Sequence, residues 1–169
     1  AALCALQGPL HGGAPGPVLD MLDELQQCPD PTDWLQQQLL DGRRLMGFGH
    51  RIYRVRDPRA EVLWSACRQL PHLAQRLEQA RQLETRITQF LERQKPGRRL
   101  HANVEYYTAI LLEGLGFERQ EFTAVFAASR VLGWLAHTRE QRQRGRLIRP
   151  DSIYLGPLEP ERTTELTSR

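Results

Sequence analysis

The residues best suited to chemistry lie in one segment, residues 47–59, where two glycines, a histidine and several arginines follow one another. Gly47 and Gly49 bracket an aromatic residue, Phe48. The backbone there can adopt dihedrals closed to other residues and bring its N–H groups close to a ligand. His50 comes directly after them. A titratable imidazole beside guanidinium groups suits an anionic substrate that has a carbonyl group to polarise. The same glycine, aromatic and histidine combination also occurs in ordinary turns.

The end of this segment predicts the start of a helix. Asp57 has the side chain of an N-cap and Pro58 fits the first helical position, which places Arg59 in the first turn. The segment is therefore predicted to be a loop that leads into a helix. His50, Arg54 and Arg59 would then be within reach of whatever the loop binds.

Helical periodicity positions the rest of the chain around this loop. Apolar residues recur at three- and four-residue spacing in segments ended by proline or glycine, and strand signals are almost absent. Predicted helices begin near Pro17, Thr32, Pro58, Pro71, Asn103 and Arg119, and residues 1–6 resemble the end of a helix that starts earlier. The apolar stripe of the helix after Pro71 passes through either Leu83 or Glu84. The pattern predicts an all-α fold without repeats.

Two more ionisable residues fall at defined places on these helices. Asn103 is a predicted N-cap, so Glu105 lies in a first turn, where a carboxylate interacts favourably with the helix dipole. Arg130 interrupts the apolar face of the last long helix, where an unpaired charge would be costly. Both residues are therefore possible binding or catalytic groups as well as structural ones.

Composition narrows the class of protein. The chain has 169 residues, 40% of them hydrophobic and 25% charged, which is typical of one globular domain. Its net charge is +3, almost all positive charge is arginine, and there is no basic block of the kind that binds nucleic acid. No apolar run approaches the roughly 20 residues of a membrane span. Three scattered cysteines, Cys4, Cys28 and Cys67, predict reduced thiols in a cytoplasmic setting, without a zinc site or disulfides.

Five motifs, in their order and spacing, resemble the citrate synthase family. They are residues 8–14, 47–59, 103–107, 129–133 and 148–150. The resemblance runs from Leu6 to about Pro157 and corresponds to the C-terminal part of a family member. It implies an all-α fold in which residues 40–115 form the small domain. Residues 1–39 and 116–169 would belong to the large domain.

The resemblance also implies a reaction. Citrate synthases of the tricarboxylic acid cycle condense acetyl-CoA with oxaloacetate and hydrolyse the citryl thioester, without a metal or a bound cofactor. Motif positions imply that Glu105 is the base, that His11 donates to the enolate oxygen, and that His50 polarises the oxaloacetate carbonyl. A thioester methyl group is a very weak carbon acid, so the enolate oxygen needs such a donor as charge develops. The alternatives are a structural turn histidine at His11 and a helix-capping carboxylate at Glu105.

One departure from the family bears on the rate. The family ordinarily has aspartate where this chain has Glu105. The extra methylene moves the carboxylate, and a misplacement of about 1 Å can cost on the order of 100-fold in rate. After His11 the usual Gly-Ala-Asn continuation is also replaced, by residues 14–17, which could stiffen that loop.

Arginines account for the remaining implied contacts. Arg59, Arg130 and Arg149 match the clamp on the two carboxylates of oxaloacetate, and forked donors suit carboxylates. Arg149 would reach into the partner subunit's site, although an Arg-Pro dipeptide is also common in tails. For coenzyme A, Arg54 matches a phosphate contact and Gly47, Phe48 and Gly49 match a backbone loop near the adenine. Arg54 is equally consistent with a solvated side chain.

Three functions remain open from the sequence. The first is citrate synthase, and the second is 2-methylcitrate synthase, which shares these motifs and uses propionyl-CoA. The third is a non-catalytic dimerisation or regulatory module, because the N-terminal half of the family enzyme is missing. A homodimer is expected, since the last helix has small residues and large apolar residues that need cover. These are Ser129, Gly133 and Ala136, and Phe122, Val125 and Phe126.

Overall fold

A computed structural model describes residues 2–8, 12–53, 55–147, 149 and 151–156. They form seven α-helices: α1 (Ala2–Leu6), α2 (Pro15–Gln27), α3 (Pro31–Leu40), α4 (Pro58–Cys67), α5 (Ala74–Gln94), α6 (Val104–Gly114) and α7 (Phe122–Arg144). Short 3-10 turns, Pro71–Leu73 and Arg119–Glu121, precede α5 and α7. Extended pairing within these ranges is limited to one antiparallel bridge, between Phe48 and Ala102. The all-α prediction is confirmed.

Capping residues determine where the helices begin. Asp57 caps α4 by accepting a hydrogen bond from the Arg59 N–H, and Asn103 caps α6 by accepting one from the Glu105 N–H, as predicted. The predicted starts at Pro71 and Arg119 are those of the 3-10 turns that precede α5 and α7, and the predicted starts of α2 and α3 were wrong. Helix α2 begins at Pro15 instead of Pro17, because a proline also stands at this earlier position and fits the first turn. Helix α3 is capped by the Asp30 carboxylate, which accepts from the Thr32 N–H.

Helix α6 lies at the centre of the core. It packs against α2 and α4, and its residues Tyr106, Tyr107, Ala109 and Ile110 are fully buried. Helix α5 contributes a buried stripe that includes both Leu83 and Glu84. The helix that carries Glu105 is therefore held on several sides, which restricts the position of its first turn.

Contacts between residues divide the chain into two units, Ala1–Leu132 and Gly133–Arg169. The first contains α1 to α6 and the beginning of α7. The second, where described, contains the rest of α7 and extended residues after it. None of the helices in the described part of the chain is both long and apolar enough to cross a membrane.

The apolar residues of α7 differ from the expectation. Phe122 is buried and Val125 packs against the core, so these two are already covered by the chain itself. The large apolar residues left exposed are instead Val131, Leu132 and Leu135. Ser129 and Ala136 are exposed as well.

Candidate functional site

The loop before His50 is tied to the start of α6 by main-chain pairing. The Gly49 N–H donates to the His101 carbonyl at 2.8 Å, and the Asn103 N–H donates to the Gly47 carbonyl at 2.8 Å. The Asn103 side-chain amide also donates to the Gly49 carbonyl at 2.9 Å. The start of α6, which carries Glu105, and the loop before His50 are thus joined at one point.

Both glycines of this loop are required by the backbone. Gly47 has φ of 81° and Gly49 has φ of 85°, in the left-handed region that side chains disfavour. A Cβ at Gly47 would also lie 3.1 Å from Tyr106 and Val18, and one at Gly49 would lie 3.0 Å from Leu100. The conformational role predicted for the two glycines is confirmed.

His50 is fixed in one tautomer by its own loop. Its Nδ1 accepts hydrogen bonds from the N–H groups of Ile52 and Tyr53, each at 3.0 Å. An Nδ1 that accepts carries no proton, so we assign the ring proton to Nε2. The Tyr53 ring lies against the imidazole with centroids 4.4 Å apart. The Nε2–H group is therefore oriented as a donor.

Asp57 does more than cap α4. It is 1% exposed, and its carboxylate accepts from Arg59 Nε at 3.0 Å and Nη2 at 2.8 Å, in a two-pronged ion pair. It also accepts from the Val104 N–H, at the start of α6, at 3.1 Å. Burial raises the pKa of Asp57, but the hydrogen bonds from Arg59 outweigh burial and hold it below its usual value. One buried carboxylate thus orients Arg59 and ties α4 to α6, a role that capping rules did not predict.

Two hydrogen-bond donors converge beside this pair. Arg59 Nη2 lies 3.2 Å from His50 Nε2. A guanidinium only donates, and the assigned tautomer makes Nε2 a donor too, so neither satisfies the other. An oxygen atom beside the two nitrogens, at hydrogen-bond distance from each, could accept from both. The geometry suits a ligand with adjacent carbonyl and carboxylate oxygens.

Glu105 provides a carboxylate near these donors. Its Oε2 atom is buried without a hydrogen-bond partner among the described residues. Burial raises the pKa of Glu105 from 4.5 to about 7, while the charges of Arg59 and Arg130 partly oppose that shift. A carboxylate whose only role was to stabilise a helix N-terminus would have a lowered pKa instead. The raised value is suited to a general base that works near neutral pH.

We expect Glu105→Gln to raise the melting temperature at pH 8 and to change it little at pH 4. The folded protein keeps a proton on Glu105 that the unfolded chain releases, so stability falls as pH rises from 4.5 towards about 7. Glutamine imitates the protonated form and removes this loss. Calorimetric melting across this range checks it, with the exposed Glu92→Gln on α5 as control. A difference in melting temperature that is the same at every pH would contradict the raised pKa.

The other predicted site residues are placed as follows. Arg130 acts on the Glu105 charge, but it is exposed and stacks on Phe126 at 4.9 Å. The expected cost of an unpaired buried charge therefore does not apply to it in the described structure. Arg149 is exposed and belongs to the second unit. His11 and Arg54 lie outside the described residues, so their roles stay predictions.

An open cleft of about 700 Å³ borders His50. Phe48 and Gly49 line it, as the sequence suggested for a ligand-binding loop, whereas Gly47 is buried against the core. Four arginines that motif reasoning missed also line it: Arg44, Arg51, Arg98 and Arg99. Arg98 and Arg99 are adjacent in the sequence, but nothing local indicates that they face the loop of residues 47–49. Such a lining is suited to a ligand with several negative charges.

Comparison with known proteins agrees with this geometry. Residues 1–151 match the family model described as citrate synthase, C-terminal domain. The chain belongs to the citrate synthase family. Citrate synthase 2 of Bacillus subtilis is 39% identical over 157 residues, which cover 93% of this chain and 41% of that relative. The family resemblance drawn from the motifs is confirmed.

Solved structures of citrate synthases share the fold. The Thermoplasma acidophilum enzyme, in a ternary complex with carboxymethyl coenzyme A and oxaloacetate, is 34% identical with a TM-score of 0.76. It is covered over 42% of its length by 94% of this chain. The Thermotoga maritima enzyme is 39% identical with a TM-score of 0.75, covering 93% of this chain and 42% of that one. The chain therefore spans about two fifths of the length of these citrate synthases.

Proposed function

We propose that this chain carries the greater part of a citrate synthase site, which condenses acetyl-CoA with oxaloacetate to give citrate and CoA. The observation that carries the proposal is the convergence of the His50 Nε2–H group and the Arg59 guanidinium, 3.2 Å apart. A carboxyl group with a pKa of about 7, Glu105, lies within the influence of the Arg59 charge. This condensation needs two groups: hydrogen-bond donors that bind and polarise the ketone, and a general base whose pKa lies near the working pH.

The residues act in a definite order in this proposal. The Glu105 carboxylate takes a proton from the methyl group of the thioester, and His11 donates to the enolate oxygen that forms. The enol carbon then attacks the ketone carbon of oxaloacetate. The ketone oxygen receives the electron pair of its π bond and takes a proton through the hydrogen bond from His50 Nε2–H, while Arg59, Arg130 and Arg149 hold the carboxylates. Water returns a proton to His50, and Glu105 releases to water the proton that it took from the methyl group. Water then hydrolyses the citryl thioester and releases CoA.

The acyl carrier is proposed to lie in the arginine-lined cleft. The loop of residues 47–49 would contact the nucleotide part of coenzyme A, and Arg54 would contact a phosphate. The Thermoplasma relative, whose complex contains carboxymethyl coenzyme A and oxaloacetate, supports this choice of ligands. Propionyl-CoA in a 2-methylcitrate synthase is the alternative substrate. Competition between the two acyl-CoA esters in one assay distinguishes these functions.

The proposal also covers the surroundings of the site. We place the small domain at residues 40–115 and the chain in a cytoplasmic homodimer that uses no bound cofactor. The exposed apolar residues of α7 and the expected crossing of Arg149 to a second subunit support a two-fold dimer.

We expect negligible citrate formation by the chain alone and measurable formation when an N-terminal half is supplied. The N-terminal half of the Bacillus subtilis relative, produced together with this chain, gives a complemented enzyme for the test. That N-terminal half would supply the remaining oxaloacetate and coenzyme A contacts. CoA release with acetyl-CoA and oxaloacetate measures the reaction, and sedimentation measures the assembly. Arg149→Ala should reduce activity more than it reduces the melting temperature.

Two outcomes would contradict this proposal. A monomer of the chain alone that turns over both substrates would show that neither the second half nor a partner is needed. A complemented dimer that binds oxaloacetate without turnover would favour the non-catalytic module.

A further inference from the structure

Glu84 is a buried carboxylate on α5 that the proposed reaction does not use. It is 7% exposed, and both of its oxygens accept hydrogen bonds. Oε1 accepts from Arg56 Nε at 2.9 Å, while Oε2 accepts from Arg81 Nη1 at 3.1 Å and from the Tyr107 hydroxyl at 2.5 Å. Arg56 Nη2 adds a longer contact to Oε2 at 3.4 Å. The carboxylate is thus fully engaged inside the core.

Two of these partners, Arg56 and Tyr107, are close in the sequence to two different parts of the proposed site. Arg56 directly precedes Asp57, the residue that orients Arg59. Tyr107 follows Glu105 by two residues on α6. Glu84 is therefore connected through one residue to the substrate-holding side and through another to the base.

The connection is rigid because its members also contact each other. The Arg56 guanidinium lies over the Tyr107 ring, 5.6 Å from its centroid, and pairs with Glu61 of α4. Tyr107 is fully buried. Burial and the neighbouring Glu84 both raise the pKa of Tyr107, so its hydroxyl keeps the proton that it donates. Through Glu61, Glu84 and Tyr107, the cluster joins α4, α5 and α6.

Stability alone gives little reason for this cluster. Burying the Glu84 carboxylate costs solvation, and its ion pairs with Arg56 and Arg81, whose side chains are 27% and 42% exposed, offset little of that cost. What such a cluster adds is a defined geometry, since each hydrogen bond fixes a distance and a direction. A site that depends on the spacing between two helices benefits from that definition.

We propose that Glu84 is a positioning residue that sets the spacing between the Asp57–Arg59 pair and the Glu105 carboxylate through Arg56 and Tyr107. The catalytic consequence rests on the proposed function, whereas the structural coupling does not. The longer side chain of Glu105, compared with the family's aspartate, has one more rotatable bond. Holding α6 in place limits the positions that the carboxylate at the end of this longer side chain can occupy.

The coupling is tested first in the chain alone, by carbon-detected NMR titration of the Glu105 carboxyl group. Glu84→Gln and Tyr107→Phe should each lower the pKa of Glu105 from about 7 towards 4.5, because a looser α6 admits water to Oε2. The charges that act on Glu105 are those of Arg59, Arg130 and Asp57, so such a change would come through position. Glu78→Gln, an exposed carboxylate on the same helix, should leave that pKa unchanged.

The catalytic consequence is tested in the complemented enzyme. Both variants should lower kcat by roughly 10- to 100-fold, the range for a misplacement of up to about 1 Å, with little change in KM for acetyl-CoA. Lowered melting temperatures with an unchanged Glu105 pKa and an unchanged kcat would overturn the proposal. If Glu84→Gln does not fold, Tyr107→Phe decides, since it removes one hydroxyl and keeps the ring. An inactive complemented parent would reject the proposed function, and the titration would still decide the coupling.

Discussion

Glu105→Gln should reduce proton exchange at the methyl group of acetyl-CoA by about 10²- to 10⁴-fold, the usual contribution of a general base. The glutamine side chain keeps the shape of the glutamate but cannot accept the proton. Burial raises the pKa of Glu105 to about 7, so near neutral pH the parent carboxyl group is present in both its ionised and its protonated form. Exchange of methyl protons into deuterated water, measured in the complemented enzyme, checks this expectation.

Controls separate loss of the base from loss of binding. Coenzyme A affinity should persist in Glu105→Gln, because the proposed nucleotide contacts lie in the cleft beside His50. Glu92→Gln, on the exposed side of α5, should exchange at the parental rate. Near-parental exchange in Glu105→Gln would remove this residue from the role of base. Glu105→Asp restores the family's residue, and we make no prediction of whether it raises or lowers the rate.

In the complemented enzyme, Arg59→Ala and Arg130→Ala should each weaken oxaloacetate binding by about 2–5 kcal/mol, because closing the site around the substrate would leave one of its carboxylates desolvated and unpaired. Arg59 is the stronger case, since Asp57 holds its guanidinium through both Nε and Nη2. Calorimetric titration of the complemented enzyme with oxaloacetate measures the loss. Unchanged affinity in both variants would reject the carboxylate clamp.

Two further variants identify the chemical cause. Arg59→Lys should bind oxaloacetate little better than Arg59→Ala. An ammonium group lacks the forked donors with which a guanidinium contacts both Asp57 oxygens and a substrate carboxylate. Arg68→Ala, at the other end of α4, should bind oxaloacetate like the parent. Arg68 stacks on Trp64 at 4.9 Å and is exposed. Melting temperatures must be compared as well, since removing Arg59 leaves the buried Asp57 without its ion pair.

The helices were largely predictable because the signals that define them are local. Proline at a first turn, a capping side chain and apolar spacing act within a few residues, and they place α4 and α6 correctly. The errors at α2 and α3 are also local, since two prolines or two capping residues stand close together in each case. The apolar stripe of α5 allowed either Leu83 or Glu84, and tertiary packing buries both.

The site was predictable in its parts and not in its connections. Motif resemblance named His50, Arg59, Glu105 and Arg130, and the structure shows a direct His50–Arg59 contact and the charges of Arg59 and Arg130 acting on Glu105. Motif resemblance did not indicate Arg98 and Arg99. These arginines reach the cleft because residues 101–103 pair with the glycine loop.

The sequence by itself determined the family, the helical class and the chemical types available at the site, because these follow from residue identity and short-range spacing. Only the tertiary structure decided which charges are buried and with whom they pair. Asp57 meets the Val104 N–H across 47 residues, and Glu84 meets Arg56 across 28. The pKa of Glu105 belongs to the same class, since burial by the packed helices sets it, and burial depends on residues brought together from the whole first unit.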